Sequence, residues 1–310
     1  MLEKTLWVEK YRPTSISEYV FKDSEQQLKV QRWIDDKEIP HCLFSGSPGT
    51  GKTTLAKLLI NEIGIHEYDV LEINASRTNS VDDIRDTIVK FVELMPYGSI
   101  RVVLLDEADY LSANAQAALR GLLEEYHLTS RFILTCNYPN RIIPAIHSRC
   151  QGFHIEKLDT VEYTARTATI LLEENVEFEL TTLDTYVKAT YPDLRKCINL
   201  LQYNSVNGTL LIPDAGDSTT ADYKIEMVEL FKQGKIRDAR LLLCNKAKPE
   251  DMEEIFSWIY RNLDIFSTDD NIQDNIILEV KRGLVEHTMI SDPEINLSAT
   301  LIRIAKLLKK

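Results

Sequence analysis

The segment GSPGTGKTT at residues 46–54 constrains the fold more than any other part of the sequence. It follows a short apolar run and opens a stretch, KTTLAKLLINEI, that has the apolar spacing of a helix. It fits the pattern G-x-x-x-x-G-K-[ST], in which glycines let backbone N–H groups turn toward phosphate oxygens. The dipole of the following helix adds to that attraction. The sequence therefore predicts a phosphate-binding P-loop, with Lys52 on the β- and γ-phosphates and Thr53 on Mg²⁺.

Short apolar runs alternate with helical patterns through the first half of the chain. The runs HCLFSG, DVLEIN, IRVVLLDEAD and RFILTC have the character of buried strands, and GFHIEKL adds a last short one. Between them, residues 52–63, 80–95 and 112–126 have helical periodicity. This alternation predicts an α/β domain, with a parallel sheet and helices on both of its faces.

The second half of the chain is predicted to be entirely helical from Thr160 onward. A stretch rich in helix breakers, residues 207–222, reads as a linker between two helical regions. The predicted layout is an α/β domain at 1–157, a small helical domain at 158–210 and a helical C-terminal domain at 220–310.

Composition narrows the functional class. The chain has 310 residues, of which 44% are hydrophobic and 27% charged, as in globular proteins. The sequence shows no signal peptide and no apolar run long enough to span a bilayer, so we expect a cytoplasmic protein. Its five cysteines form no CxxC pair, which argues against a structural zinc site. A net charge of −12 argues against a protein that coats nucleic acid, but it leaves room for a local phosphate-binding surface.

Two carboxylates follow the apolar run VVLL, at Asp106 and Glu107. The carboxyl ends of parallel strands form the ligand-binding edge of an α/β sheet, so both side chains are expected beside the P-loop. There Asp106 would bind Mg²⁺ through water, and Glu107 would orient and activate an attacking water. Asn137, at the end of the next apolar run, could reach the γ-phosphate or that water. Together these residues predict hydrolysis of a nucleoside triphosphate.

These motifs together resemble the AAA+ ATPases, and more closely the clamp-loader ATPases of the replication factor C small-subunit family. The segments WVEKYRP, LEINAS, LLDEAD, AQAALRGLLEE, CNYPNRIIPAIHSRC and YPDLRKCINLLQ follow in that family's order and spacing. The short, divergent C-terminal third is most similar to the ATPase (large) subunit of T-even-type phage loaders. The resemblance implies an AAA+ parallel-sheet domain, a helical lid and a helical collar that oligomerises. It also implies a subunit of a pentameric ring that uses ATP and Mg²⁺ to open a sliding clamp and load it on primer-template DNA.

The resemblance also assigns roles to individual residues. Asn137 matches the position called sensor 1, and Arg195 matches sensor 2, which touches the phosphates from the lid. Arg149 matches an arginine finger that reaches the γ-phosphate bound by the neighbouring subunit, so it would be catalytic in trans. The implied ATP-binding set is Val8, Glu9, Lys10, Tyr11, Val20, Gly49, Thr50, Gly51, Lys52, Thr53, Thr54 and Arg195.

Two departures from the family pattern stand out. The loop reads GSPG, in which Pro48 is the one proline, whereas the family more often has two adjacent prolines there. The family also carries a basic residue after NAS that restrains the catalytic glutamate until DNA arrives. Asn79 falls near that place and Arg77 lies two residues earlier, so the identity of this switch stays open. The stretch between Cys42 and Cys136 contains no cysteine, and so lacks the zinc module of bacterial loaders.

Two surfaces are predicted for macromolecular partners. DNA would be held by its phosphate backbone, independently of sequence, at the starts of the helices near Ser80 and Ser112. The predicted DNA-contacting side chains are Arg77, Ser80, Ser112, Asn114, Gln116 and Arg120. The clamp would dock on an exposed apolar tip where the helix at 80–95 runs into Pro96, formed by Val92, Leu94 and Tyr97. The alternative for the tip is packing under a neighbouring loop.

Other functions compete with that of a clamp loader. The letters DEAD suggest a helicase, but such enzymes have two RecA-like domains and only one P-loop domain fits this chain. A scaffold that binds ATP without hydrolysis is disfavoured because Lys52, Asp106 and Glu107 are all present. A helicase loader or another DNA-remodelling AAA+ ATPase shares the same core chemistry, and it remains the alternative.

Overall fold

The chain divides into two compact units. The computed structural model describes residues 6–21, 23–77, 81–212, 223–248, 251–287, 289–290 and 292–308. The first unit runs to Tyr163 and also contains Pro192–Lys196, and the second comprises Thr164–Tyr191 and the chain from Cys197 onward. The division of the helical half into a lid and a collar stays a prediction.

A parallel sheet of five strands forms the centre of the first unit. Its strands, in chain order, are β1 (Cys42–Ser45), β2 (Val70–Asn74), β3 (Arg101–Asp106), β4 (Ser130–Cys136) and β5 (Gln151–His154). Their spatial order is β2-β3-β4-β1-β5, and every neighbouring pair is parallel. The predicted α/β class is confirmed. Because the strands are parallel, the chain leaves β1, β3 and β4 at the same edge of the sheet.

Helices cover both faces of this sheet. The helices of the unit are α1 (Trp7–Lys10), α2 (Ser24–Asp35), α3 (Lys52–Ile63), α4 (Val81–Val92), α5 (Ala113–Glu125) and α6 (Pro144–His147). On one face, Ile88 of α4 and Leu119 of α5 share a buried cluster with Phe132. On the other, Leu55 of α3 packs in a cluster with Phe44. Burying each such side chain contributes about 1.5–3 kcal/mol, which explains why the strands read as continuous apolar runs.

Helix α4 ends at Val92, three residues before the predicted end. Proline disfavours the helical conformation in the residue before it, so Met95 cannot continue a helix into Pro96. The carbonyl of Met95 instead accepts a hydrogen bond of 2.7 Å from Arg101. The segment after Val92 is therefore a shaped loop.

The remaining helices occupy the rest of the chain. They are α7 (Thr160–Glu173), α8 (Leu180–Thr190), α9 (Leu194–Asn204), α10 (Tyr223–Lys232), α11 (Ile236–Lys246), α12 (Met252–Arg261), α13 (Asp270–His287) and α14 (Pro293–Leu307). Within the described residues, no helix combines the length and apolar character needed to cross a membrane.

The prediction that this half is purely helical is wrong at one place. Two short antiparallel strands, β6 (Ser205–Val206) and β7 (Thr209–Leu210), form a hairpin after α9. Asn207 and Gly208 join them with φ of 52° and 79°, and Asn-Gly favours a two-residue turn of this kind. The predicted linker at 207–222 thus begins inside a hairpin, and its part from 213 onward lies outside the described residues.

Candidate functional site

The P-loop joins the end of β1 to the first turn of α3. Gly51 precedes that turn with φ of 91°, in the left-handed region that glycine adopts without strain. Gly49 has φ of 74°, and a Cβ there would lie 2.1 Å from the carboxylate of Asp193. No side chain caps the start of α3, so its first amides can donate to an anion.

Lys52 is buried inside this loop. Its ammonium donates to the carbonyls of Gly46 at 3.0 Å and Ser47 at 2.8 Å. Burial lowers the pKa of Lys52, and Cys136 and Asp106 nearby oppose that shift. The lysine therefore holds the loop in shape beside the uncapped amides at the start of α3.

Asp106 connects three elements of the site. Its Oδ1 accepts hydrogen bonds from the hydroxyls of Thr53 on α3, at 2.7 Å, and Thr135 on β4, at 2.6 Å. The hydroxyl of Thr135 in turn accepts from the backbone N–H of Glu107 at 3.1 Å. Glu107 has φ of 58°, a left-handed conformation that is uncommon for residues other than glycine. The network holds the backbone of Glu107 in place where the chain turns out of the sheet.

A cavity at this edge brings together most of the predicted phosphate site. The predicted residues that line it are Gly49, Gly51, Lys52, Thr53, Thr54, Asp106, Glu107, Asn137 and Arg195. Thr50 does not line it, and its hydroxyl donates to the carbonyl of Ser47 within the loop. Thr135 and Cys136 also line the cavity and were not predicted. The signal for Thr135 was a polar residue one position before the end of a buried strand.

The oxygens of Thr53 and Asp106 suit a magnesium ion. Mg²⁺ prefers hydroxyl, carboxylate and phosphate oxygens, and commonly uses one or two protein groups together with the phosphates of a nucleotide. Both side chains face the same cavity and already approach each other within 2.7 Å. When bound, the ion would supply positive charge against the phosphates.

The predicted adenine-binding segment lies in α1 and the turn that follows it. Val8, Glu9, Lys10 and Tyr11 are not among the residues that line the phosphate cavity. Lys10 lies over the ring of Tyr11, 5.1 Å from its centre. The residue before Val20, Tyr19, approaches Gly51. The assignment of this segment to adenine stays a prediction.

Arg149 lies just after α6 and is exposed. It forms an ion pair with Glu124 of α5 and donates to the carbonyl of Ala145 at 2.9 Å. It is not among the residues that line the cavity at the edge of the sheet. Its guanidinium is therefore displayed on the outside of the unit.

Four of the residues predicted to contact DNA are exposed. Arg77, Asn114 and Arg120 are exposed, and Ser112 is exposed while its hydroxyl caps α5 by accepting from Ala115 at 3.2 Å. Ser80, like Asn79, lies outside the described residues. Glu124, which could have paired with Arg120, pairs with Arg149 instead.

The prediction that Gln116 contacts DNA is wrong in this structure. Its side chain is buried, and its amide donates to the carbonyls of Leu111 at 3.1 Å and Arg141 at 3.0 Å. Its amide oxygen accepts from the backbone of Ile143 at 2.8 Å. Gln116 thus joins α5 to the loop that follows β4, and no donor is left for a phosphate.

Two of the three residues predicted to form the clamp-docking tip are exposed to solvent. Leu94 and Tyr97 are 61% and 74% exposed, and Met95 beside them is 90% exposed. Val92 is 3% exposed and belongs to the core cluster under α4, so its assignment to a docking surface is wrong. The tip is extended by Tyr68, whose ring centre lies 5.7 Å from that of Tyr97.

A buried carboxylate holds this tip in shape. Asp69 accepts from the backbone N–H groups of Tyr97 at 3.0 Å and Gly98 at 2.7 Å. Arg101, which binds the carbonyl of Met95, lies 3.8 Å from Asp69 and stacks over Phe91. The exposed apolar side chains are therefore carried on a loop that is fixed from below.

Comparisons with known proteins agree with this architecture. A family model described as "ATPase family associated with various cellular activities (AAA)" matches residues 42–156. The replication factor C small subunit of Sulfurisphaera tokodaii is 38% identical, over 98% of this chain and 96% of its own length. That of Archaeoglobus fulgidus is 34% identical over 98% of both chains. The solved RuvB Holliday junction branch migration motor of Thermotoga maritima has a TM-score of 0.52 at 18% identity, over 64% of this chain and 65% of its own, and bears on the fold alone.

We expect Thr135→Val to lower the free energy of unfolding by about 1–3 kcal/mol, because it leaves the part-buried N–H of Glu107 without its acceptor. Thr135→Ser keeps the hydroxyl and should recover most of that loss. Urea denaturation of the three proteins measures the difference. A valine variant as stable as the parent would mean that Thr135 does not support the turn at Glu107.

Proposed function

This chain belongs to the family of replication factor C small subunits, and from that membership we propose that it is an ATP-hydrolysing subunit of a sliding-clamp loader. In this proposal the chain binds ATP with Mg²⁺, assembles into a ring with other loader subunits, opens a sliding clamp and loads it on primer-template DNA. In this proposal the protein acts in the cytoplasm, or in the cytoplasm of a host cell if a phage encodes it. The relatives are named for replication factor C, which favours this function over the alternative of a helicase loader.

The observation that carries the proposal is the cavity at the edge of the sheet. It unites a phosphate-binding helix start, a lysine, a threonine–aspartate pair and a glutamate that follows β3. Lys52 would move from its loop carbonyls to the β- and γ-phosphates, while Thr53 and Asp106 would hold Mg²⁺. Hydrolysis then needs only an aligned water and stabilisation of the charge that develops on the γ-phosphate.

Glu107 is the proposed group that aligns and activates this water. Its backbone is held by Thr135, and its side chain faces the same cavity as Lys52. Asn137, which follows β4, and Arg195, in the segment Pro192–Lys196, line the cavity. There they would contact the γ-phosphate or the water. The adenine would be enclosed by the segment from Val8 to Tyr11, with Val20.

Arg149 is the proposed catalytic group for the neighbouring subunit. A guanidinium that lies outside its own cavity and is exposed can be presented to another molecule. Its bond to Glu124 would be exchanged for the γ-phosphate of the neighbour, where positive charge stabilises the transition state. Hydrolysis would then depend on assembly of the ring.

The proposed DNA contacts are those predicted residues that are exposed. Arg77, Ser112, Asn114 and Arg120 would bind phosphates of the duplex, and Ser80 stays part of the proposal. Such contacts are independent of sequence and sensitive to salt. They fit a chain of net charge −12, because only a narrow surface meets the DNA.

The proposed clamp-docking surface is the apolar tip formed by Leu94, Met95, Tyr97 and Tyr68. Exposed apolar clusters on monomers commonly mark partner sites. The support from Asp69 below means that the tip can dock without first becoming ordered, which lowers the entropic cost of binding.

Replacing Glu107 by glutamine tests the proposed chemistry. We expect the turnover of ATP, measured with primed DNA and the clamp, to fall about 100-fold or more, because the amide cannot act as a base. ATP affinity should stay within about twofold, whereas Lys52→Ala should lose ATP binding itself. A Glu107→Gln protein that turns over ATP at the parental rate would contradict the assignment of the base.

Mixing two inactive variants tests catalysis in trans. We combine Arg149→Ala with Lys52→Ala, so that some interfaces pair an intact P-loop with an intact arginine. Part of the ATPase activity should return, in proportion to those interfaces. Arg32→Ala in place of Arg149→Ala serves as a control at an exposed arginine to which no role is assigned. If the mixture assembles and stays inactive, the role of Arg149 in trans fails.

Changing Leu94 and Tyr97 together to serine tests the docking surface. We expect clamp affinity and clamp-stimulated hydrolysis to be lost, while the melting temperature and the clamp-independent ATPase stay nearly unchanged. The matched control changes Leu28 and Leu128, two exposed leucines elsewhere in the unit, to serine. A large fall in melting temperature would show that the tip is packed core, and unchanged clamp affinity would place docking elsewhere.

A further inference from the structure

One buried hydroxyl beside the P-loop has no partner among the described residues. The hydroxyl oxygen of Tyr19 is shielded from solvent and forms no hydrogen bond with any of them. Leaving a hydroxyl buried in this way costs about 1–3 kcal/mol relative to a bonded one. Such a group therefore needs an explanation.

The ring of Tyr19 lies against the start of α3. A Cβ on Gly51 would lie 3.2 Å from Cε2 of Tyr19 and 3.4 Å from its hydroxyl oxygen. Gly51 lines the phosphate cavity and precedes the first turn of α3, whose amides have no side-chain cap. Phe21 packs edge-on against the Tyr19 ring, with centroids 4.9 Å apart, and holds it there.

The hydroxyl is suited to donating a hydrogen bond. Burial raises the pKa of Tyr19, so the phenol keeps its proton at every physiological pH. Its surroundings at the start of a helix favour an acceptor that carries negative charge. A neutral donor thus lies beside Gly51, the residue that precedes the first turn of α3.

We propose that the Tyr19 hydroxyl donates a hydrogen bond to an α-phosphate oxygen of the bound nucleotide. The inference rests on the proposed function, since it requires a nucleotide on the P-loop. Lys52 and Thr53 serve the β- and γ-phosphates in that function, and the segment with Val20 serves the adenine. Tyr19 precedes Val20 in the segment proposed for the adenine, and its ring packs against Gly51 of the P-loop. The α-phosphate links the nucleoside to the β-phosphate, so it is the phosphate that we assign to this hydroxyl.

The contact would make nucleotide affinity depend on the N-terminal segment. Tyr19 belongs to the same segment as Val20, and it touches the loop that binds phosphate. A single side chain would therefore join recognition of the base to recognition of the phosphates. ADP and ATP would benefit equally, because both carry the α-phosphate.

Tyr19→Phe tests this inference with two readouts. We expect the Kd for ADP and for ATP, measured by titration calorimetry on the full chain, to rise by the same factor of about ten. The melting temperature of the nucleotide-free protein should stay unchanged or rise, because the variant removes a buried hydroxyl that lacks a partner. Tyr203→Phe, the same change at an exposed tyrosine to which no binding role is assigned, should alter neither.

Each contrary outcome has a distinct meaning. Unchanged Kd values for Tyr19→Phe would overturn the inference while leaving the proposed function intact. A fall of several degrees in the melting temperature of the free protein would overturn it too, since the hydroxyl would then have a partner within the protein. A rise in Kd for ATP alone would place the contact at the γ-phosphate and refute the assignment. Parent protein that binds neither nucleotide would contradict the proposed function itself.

Discussion

Asp106 accepts hydrogen bonds from Thr53 and Thr135, and these two bonds tie the first turn of α3 to β3 and β4. The geometry of the site depends on this junction. Thr53 places the P-loop relative to the carboxylate, and Thr135 carries the restraint on to the backbone of Glu107. A phosphate held at α3 and a water held at Glu107 would therefore keep a constant separation. The chemistry requires that constancy, because a small displacement of reacting groups costs much of the rate.

Buried polar side chains also fix the positions of loops at the outer surfaces of the first unit. Asp69 shapes the loop that displays Leu94 and Tyr97, and Gln116 joins α5 to the loop after β4. In both places a side chain without solvent contact satisfies backbone groups that no strand or helix pairs. The exposed residues proposed to meet partners are thus carried by elements that are already ordered.

Much of the first unit could be predicted from its sequence. The P-loop and the alternation of apolar runs with helical patterns predicted the class of fold and the edge at which Lys52, Asp106 and Glu107 meet. The reason is that these signals are local, with glycines required by backbone conformation and strand periodicity required by burial. The hairpin at Asn207 and Gly208 was equally local in its signal, but the helical pattern before it and the breaker-rich stretch after it obscured it.

What the sequence determined by itself was therefore the chemistry of the loop, the order of the elements and the side of the sheet at which the ligand binds. Only the tertiary structure decided which of several similar side chains is accessible. Gln116 and Asn114 are both polar residues near the start of one helix, yet one is buried in hydrogen bonds and the other is exposed. Val92 and Leu94 are both apolar and two residues apart, yet one is core and the other surface. Burial depends on which other elements pack against a residue, and those contacts come from distant parts of the chain that periodicity cannot reveal.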